Sequence, residues 1–194
     1  DCAADGTITN DDDEPSLTLV KTVTNDNGGT AVASAWTLTA TGPTGFFGDG
    51  PSVSNGASFD AGSYALTEAG PGGYSTAGYT CVGGTQVGQT ITLALGESAT
   101  CTITNDDIAP LLTVTKVVVN DDGGTLGVLN FPLFVDSGAV TSGVQNTFLA
   151  GAHTVSEAVQ AGYAATFSGD CDVNGDVTLN PGDVKTCTIT NDDI

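Results

Sequence analysis

The chain has 194 residues with 27 glycines, and its 23 acidic residues face only 3 basic ones, a formal net charge of −20. A protein this acidic cannot neutralise phosphates, which excludes nucleic acid as a partner and disfavours anionic membrane surfaces. No apolar run approaches the ~20 residues that membrane insertion requires. Five cysteines without a CxxC pair favour an oxidising, extracellular location over a metal site.

The chain begins with a short segment that matches the end of a strand, the sequence TITN (Thr7, Ile8, Thr9 and Asn10). The same tetrapeptide recurs at 102–105 and 188–191. An isolated last strand exposes unpaired backbone groups and should not stay unpartnered in water. We therefore predict that residues 1–12 are the orphan last strand of a preceding module or a strand donated to a neighbouring subunit. The odd cysteine, Cys2, would pair in that missing module or with another chain, or remain a free thiol.

Two copies of one pattern fill the rest of the chain. SLTLVKTVTNDNGG (16–29) corresponds to LLTVTKVVVNDDGG (111–124), and each copy closes with CTITNDD. Short runs rich in Thr, Val, Leu and Ile alternate with turn signals such as NDNGG, GPTG and PGD, and no stretch keeps a helical period. The pattern predicts two antiparallel β-sandwich modules, at 13–108 and 109–194, joined by a short proline-containing linker.

Side-chain parity along the strands directs polar groups into the predicted cores. In the first strand Lys21 shares its face with Leu17 and Leu19, because alternate residues of a strand point the same way. The same test places one Lys, one Glu and one Asn inside each module: Lys21, Glu68 and Asn105 in the first, and Lys116, Glu157 and Asn191 in the second.

These three groups together can react. Burial lowers the pKa of an amine and raises that of a carboxylic acid, which favours a neutral amine beside a neutral acid. The amine is then a nucleophile, the Asn carbonyl an electrophile, and the carboxyl group a proton shuttle. The expected product is a Lys–Asn isopeptide bond between first and last strands, with release of ammonia. The alternative is a buried Lys–Glu salt bridge without the bond.

The motifs resemble those of Cna B-type, or SpaA-like, prealbumin-fold repeats of bacterial surface proteins and pilins. The first module carries Lys21, YALTEAGPGGY (64–74) and a terminal TITN; the second has His153, Val155 and Gln160 where the first has Tyr, Leu and Pro. The resemblance implies a transthyretin-like seven-strand sandwich, a location on bacterial surface fibres and intramolecular isopeptide bonds. The fold class that we expect is therefore all-β: two tandem Ig-like or prealbumin-like antiparallel sandwiches with an extra N-terminal strand.

The other four cysteines predict two disulfides. Cys81 and Cys101 are 20 residues apart in one module, and Cys171 and Cys187 are 16 apart in the other. Since both second cysteines begin CTITN, the two pairs are equivalent, and we expect them to join the last two strands of each module.

The acidic turns offer oxygen ligands of the kind that calcium prefers. DCDVNGD (Asp170, Asp172, Asn174 and Asp176) matches the first half of a calcium loop, but Pro181 stands where the bidentate Glu belongs. A plain Asn-Gly turn is the alternative. Acids at the module ends could bind calcium jointly, namely Asp106, Asp107, Asp121 and Asp122. No cofactor is required, and calcium is the ion that these turns would accept.

No turnover site is expected, because the chain has a single His, no Arg and no phosphate loop. His153 and Trp36 are predicted to serve strand packing. We expect a non-enzymatic structural part of an extracellular filament, pilus-like fibre or surface stalk on a bacterial cell, with copies of itself as partners. The alternative is an adhesin or carbohydrate-binding module, for which the aromatic pair Phe46-Phe47 would be the signature.

Overall fold

The computed structural model describes residues 12–194, and the chain is all-β, as the sequence predicts. The predicted N-terminal strand and Cys2 lie outside the described residues. In the part of the chain that is described, no helix is long and apolar enough to cross a membrane.

The first sandwich packs the sheet β4-β1-β9-β6 against the sheet β3-β2-β5-β8-β7. A 3-10 turn at Ala33–Ala35 precedes β2. The strands are β1 (Ser16–Thr24), β2 (Thr37–Thr41), β3 (Phe46–Asp49), β4 (Ser52–Ser54), β5 (Gly62–Ala69), β6 (Tyr74–Val82), β7 (Thr85–Val87), β8 (Thr90–Leu93) and β9 (Ser98–Asp107).

The second sandwich packs the sheet β13-β10-β17-β15 against the sheet β12-β11-β14-β16. A 3-10 turn at Val128–Asn130 again follows the first strand and its loop. The strands are β10 (Leu111–Val119), β11 (Leu133–Val135), β12 (Gly138–Val140), β13 (Gln145–Thr147), β14 (Gly151–Glu157), β15 (Tyr163–Gly169), β16 (Asp176–Leu179) and β17 (Val184–Asp193).

The first and last strands of each sandwich are neighbours in the same sheet. In the second sandwich β10 and β17 run parallel, with Leu111 opposite Val184 and Val119 opposite Asp192. This pair departs from the antiparallel pattern of the surrounding ladders. Parallel pairing follows from the topology, because the two strands belong to opposite ends of the module and no hairpin joins them.

The cores follow the alternation that the sequence predicts. In β1 the buried positions include Leu17, Leu19 and Lys21, and in β10 they include Leu112, Val114 and Lys116. Trp36 is buried in the first sandwich, and Phe131 takes the corresponding place in the second.

The described residues group into two compact units. One comprises 12–23, 31–71 and 76–105, and the other comprises 24–30, 72–75 and 106–194.

Candidate functional site: a buried lysine, glutamate and asparagine in each sandwich

The first sandwich holds a lysine against a glutamate in its interior. Lys21 on β1 has no exposed side-chain area, and its Nζ lies 2.9 Å from Glu68 Oε2 on β5, in the opposite sheet. The Nζ also lies 4.6 Å from the centre of the Trp36 ring. The ammonium is thus enclosed by a carboxylate and an aromatic face rather than by water.

The second sandwich repeats this arrangement. Lys116 Nζ lies 3.0 Å from Glu157 Oε2 on β14, and both side chains are almost fully buried. Phe131 replaces Trp36 over the amine, at 4.7 Å from the ring centre. The Nζ also donates a hydrogen bond to the carbonyl of Ile189 at 3.3 Å, which ties the lysine to the last strand.

The asparagine of each site is buried on the last strand, next to the strand that carries the lysine. Asn105 and Asn191 are 4% and 2% exposed, and neither Oδ1 accepts a hydrogen bond from the residues that the structure describes. A buried carbonyl without a donor costs free energy, so each carboxamide oxygen is available for a new contact.

The register brings Asn191 within reach of Lys116. Lys116 is paired with Ile189, and Asn191 lies two residues further along the same face of β17. With ~3.3 Å of rise per residue and ~4.8 Å between strands, the two side chains start about 8 Å apart. A lysine and an asparagine that extend towards each other span that separation.

Burial changes the protonation of the lysines. Desolvation lowers the pKa of Lys21 below its usual value, and contact with the Glu68 carboxylate opposes this shift. The pKa of Lys116 is lowered in the same way, against the pull of Glu157. The neutral, nucleophilic form of each amine is therefore easier to reach than in water.

A cavity of about 310 Å³ opens next to the site of the second sandwich. Glu157 and Asn191 line it, together with apolar residues that include Val155 and Phe167. The glutamate and the asparagine of the second site therefore border the same cavity.

Disulfides join Cys81 to Cys101 and Cys171 to Cys187. The first bond links β6 to β9, which are neighbours in one sheet but not the last two strands of the module, because β7 and β8 intervene in the other sheet. In the second module Cys187 on β17 is bonded to Cys171, which lies just after β15.

The acids of the half calcium loop make turn contacts. Asp172 Oδ1 accepts hydrogen bonds from the amides of Asn174 and Asp176, at 2.8 and 2.9 Å. Asp170 Oδ2 accepts one from the amide of Thr186. The bonds of Asp172 are those of the turn that joins β15 to β16, and calcium binding here stays a prediction.

Among the described residues, three acidic side chains converge at two places: Asp26, Asp106 and Asp107, and Asp121, Asp192 and Asp193. Asp122, which the sequence suggested, contributes its backbone amide rather than its carboxylate at the second place. Asp193 was not singled out by the sequence, although it follows TITN in the same NDD ending as Asp107. Whether either group holds calcium stays a prediction.

His153, predicted to serve packing, is half-buried in the second sandwich. Its Nδ1 contacts Asp136 Oδ2, and its Nε2 lies 2.8 Å from the carbonyl of Leu149. The ring also packs on Phe148, with 5.4 Å between ring centres.

Similarity to known proteins is found among solved structures and in a family model. No curated protein sequence matches the chain. Among solved structures, the Bacillus anthracis TIE protein is similar with a TM-score of 0.53 and 17% identity over 92% of this chain, which spans about a third (34%) of that protein. The Streptococcus pyogenes major pilin T-13 aligns at 12% identity with a TM-score of 0.42, over 92% of this chain and 97% of the pilin. The Streptococcus agalactiae minor pilin GBS52 aligns at 14% with a TM-score of 0.29, over 92% of this chain and 96% of the other.

The family model described as "Prealbumin-like fold domain", of the SpaA type, matches residues 12–103 and 106–189. These two segments cover most of the chain and coincide with the two sandwiches. The resemblance seen in the sequence is thereby confirmed: the chain belongs to the SpaA-type family of prealbumin-like fold domains, of which it carries two in tandem.

Proposed function

We propose that the chain is a structural part of an extracellular filament, pilus-like fibre or surface stalk on a bacterial cell, and that internal amide cross-links stabilise each sandwich. The observation that carries the proposal is the buried lysine–glutamate contact beside a carboxamide oxygen without a donor, which occurs in both sandwiches. An ion pair in a dry interior is weak evidence for stability by itself. A reactive triad explains better why three polar groups share one core.

The reaction proposed for each module consumes no external reagent. The neutral Nζ of the lysine attacks Cγ of the asparagine, and a C–N bond forms. The Glu68 or Glu157 carboxylate first accepts a proton from the paired ammonium; as a carboxyl group it then polarises the carbonyl and passes a proton from the attacking amine to the leaving nitrogen. The C–Nδ2 bond then breaks, and ammonia leaves. Enclosure in one core supplies the effective concentration that amide exchange in water lacks.

This chemistry is a single event on the chain's own residues, so the proposed role is structural and not enzymatic. A covalent link between first and last strands opposes the separation of the two ends of a module, which slows unfolding. Partners would be further copies of the chain. We keep the segment 1–12 and Cys2 as the proposed means of contact between subunits, on the basis of the TITN repeat in the sequence.

Intact-mass measurement after reduction tests the cross-links. We expect the wild-type chain to be lighter than its sequence by one ammonia for each module. Glu68→Gln should retain the ammonia of the first module only, and Glu157→Gln that of the second only, because the proton shuttle is lost. Glu97→Gln, at an exposed turn, is the matched control and should have the wild-type deficit. A wild-type mass equal to that of the unmodified sequence would refute the cross-link.

Electron microscopy of material from the native source tests the fibre. Filaments that bind an antibody against the chain are expected. The alternative, an adhesin or carbohydrate-binding module, would instead appear as dispersed particles that bind glycans.

The aromatic pair that would mark a carbohydrate-binding module is only partly exposed. Phe47 is 75% exposed, whereas Phe46 packs edge-on against Phe59. A single exposed ring is common on protein surfaces and is not by itself a sign of a glycan-binding platform.

A further inference from the structure

The carboxylate of Asp193, at the end of the last strand, is held by the loop that follows the first strand. Its Oδ1 accepts hydrogen bonds from the amides of Asp121 and Asp122, at 2.8 and 3.1 Å. Its Oδ2 accepts a second bond from Asp122 and one from Gly124. We call this group, the Asp193 carboxylate with the amides of residues 121, 122 and 124, the Asp193 clasp.

The same contacts recur at the end of β9. Asp107 accepts hydrogen bonds from the amides of Asp26, Asn27 and Gly29, at distances of 2.6–3.1 Å. Both carboxylates are buried, at 3% exposure for Asp107 and 4% for Asp193, whereas the preceding acids Asp106 and Asp192 are exposed. In both copies of the repeat, therefore, backbone amides of the loop after the first strand bind the second aspartate of the Asn-Asp-Asp ending.

The clasp is closely packed. A Cβ atom added to Gly124 would meet the Tyr163 hydroxyl and the Asp193 side chain at less than 3 Å. The Tyr163 hydroxyl in turn donates to Asn120 Oδ1 and accepts from the amide of Leu126. The loop after β10 therefore has little freedom to shift along β17.

The register of β10 against β17 needs such a contact. These strands pair in parallel and lie at opposite ends of the module's sequence, so no hairpin turn fixes their alignment. A slip of one residue would turn Asn191 to the outer face of the sheet. A slip of two residues that carries Asn191 further along β10 would add ~6.6 Å to its separation from Lys116 and take it out of reach. Asp193 lies two residues beyond Asn191 on the same face, and its partners follow directly after β10.

We propose that Asp193 is a positioning residue for cross-linking in the second module: the clasp fixes the register of β17 against β10 and so holds the Asn191 carboxamide beside Lys116. The inference rests on the proposed function, because it concerns the same reaction. Asp107 has the equivalent contacts in the first copy of the sequence.

The experiment compares the rate of ammonia loss in newly synthesised, pulse-labelled full-length chains, followed from before the reaction and measured for the second module by mass spectrometry of proteolytic fragments. Asp193→Asn keeps the side-chain shape but removes the charge that binds the three amides. Asp192→Asn makes the same charge change one residue earlier on the exposed side. Val177→Ala, at a core position of the same sandwich, controls for lost stability. Unfolding midpoints are measured in an Asn191→Ala background, where no amide can form.

We expect Asp193→Asn to slow the reaction about 10²-fold, the effect of a misplacement of roughly 1 Å at a reacting centre. Asp192→Asn should react at the wild-type rate. Val177→Ala should react faster than Asp193→Asn even where the two substitutions lower the unfolding midpoint by the same amount. A rate for Asp193→Asn equal to that of Val177→Ala or Asp192→Asn overturns the positioning role and leaves the cross-link itself intact.

If the wild-type second module loses no ammonia, the cross-link of the proposed function fails, and the register is then the deciding measurement. Nuclear Overhauser contacts between paired residues such as Thr115 and Thr188 report the register in wild type and in Asp193→Asn. Loss or shift of these contacts in Asp193→Asn supports the clasp as the register contact. Unchanged contacts overturn it.

Discussion

Each lysine of the two cores is held by a carboxylate and an aromatic ring. Desolvation of an ammonium costs several kcal/mol, and only good contacts inside the protein offset this free energy. Lys21 has Glu68 at 2.9 Å and the Trp36 face at 4.6 Å, and Lys116 has Glu157 and Phe131 in the same places. Loss of one partner therefore leaves an uncompensated charge.

We predict that Glu68→Ala destabilises the first sandwich by about 3–5 kcal/mol, the usual cost of removing one member of a buried pair. The double variant Lys21→Met/Glu68→Leu should recover most of this loss, because no buried charge remains. The measurement is urea unfolding in an Asn105→Ala background, which prevents amide formation. Glu97→Ala is the exposed control. A double variant as unstable as Glu68→Ala would show that packing, not charge, dominates.

The lowered pKa of Lys21 affects how the free energy of unfolding of the Asn105→Ala background depends on pH. Because burial lowers the pKa of Lys21, the unfolded chain binds more protons than the folded one between the folded value and the ordinary value of 10.5. The contribution of Lys21 to the free energy of unfolding therefore rises with pH through this window. In Glu68→Ala the window should extend to lower pH and the total rise should be larger, since the opposing carboxylate is gone.

At the residue scale, strand parity was sufficient to predict which lysines and asparagines are buried, namely Lys21, Lys116, Asn105 and Asn191. Strand parity alone put Lys21 with Leu17 and Leu19, because a half-buried strand has a strict period of two. The same reasoning could not find the role of Asp193. An aspartate in an NDD run is typical of any turn, and its partners lie about 70 residues earlier in the chain.

At the element scale, the longer strands were predictable and the short ones were not. In β1, β5 and β9 buried side chains alternate with more exposed ones, as a period-two pattern requires. The strands β3, β4 and β7 have 3 or 4 residues and contain Gly, Ser, Asp or Gln, so their pairing is set by neighbours and not by their own pattern. The parallel pairing of β10 and β17 also depends on the whole module.

The loop after β10 provides a prediction at this scale. Gly124→Ala should destabilise the second sandwich by about 1–3 kcal/mol, because the added methyl group overlaps the Tyr163 hydroxyl and the Asp193 side chain. Gly127→Ala, three residues later, meets only Asn130 Oδ1 at 4.0 Å and should be nearly neutral. Thermal unfolding in an Asn191→Ala background measures both. Equal midpoints for the two variants would contradict a closely packed clasp.

At the scale of the whole molecule, charge is the dominant feature. The chain has a net charge of −20 and 3 basic residues, of which Lys21 and Lys116 are buried in ion pairs. Repulsion among the remaining carboxylates disfavours the compact state more than the expanded one. The fold is therefore expected to be least stable in dilute buffer.

We predict that the unfolding midpoint rises by about 2–8 °C, the shift that ~1 kcal/mol produces in domains of this size, between ~0.01 M and ~1 M NaCl. KCl should act alike, since screening is not specific to the cation. CaCl₂ at equal ionic strength separates screening from binding: an additional rise would indicate an acidic turn that holds calcium. A midpoint that falls with NaCl would mean that favourable ion pairs outweigh the repulsion.

The burial of two lysines also affects how the protein can be digested. Trypsin cleaves only after lysine and arginine, and this chain offers it three bonds in total. Two of them follow side chains enclosed in the cores, and the third follows Lys185, whose Nζ donates to the carbonyl of Thr178. A folded chain exposed to trypsin-like proteases outside the cell therefore presents a single accessible basic residue over its whole length.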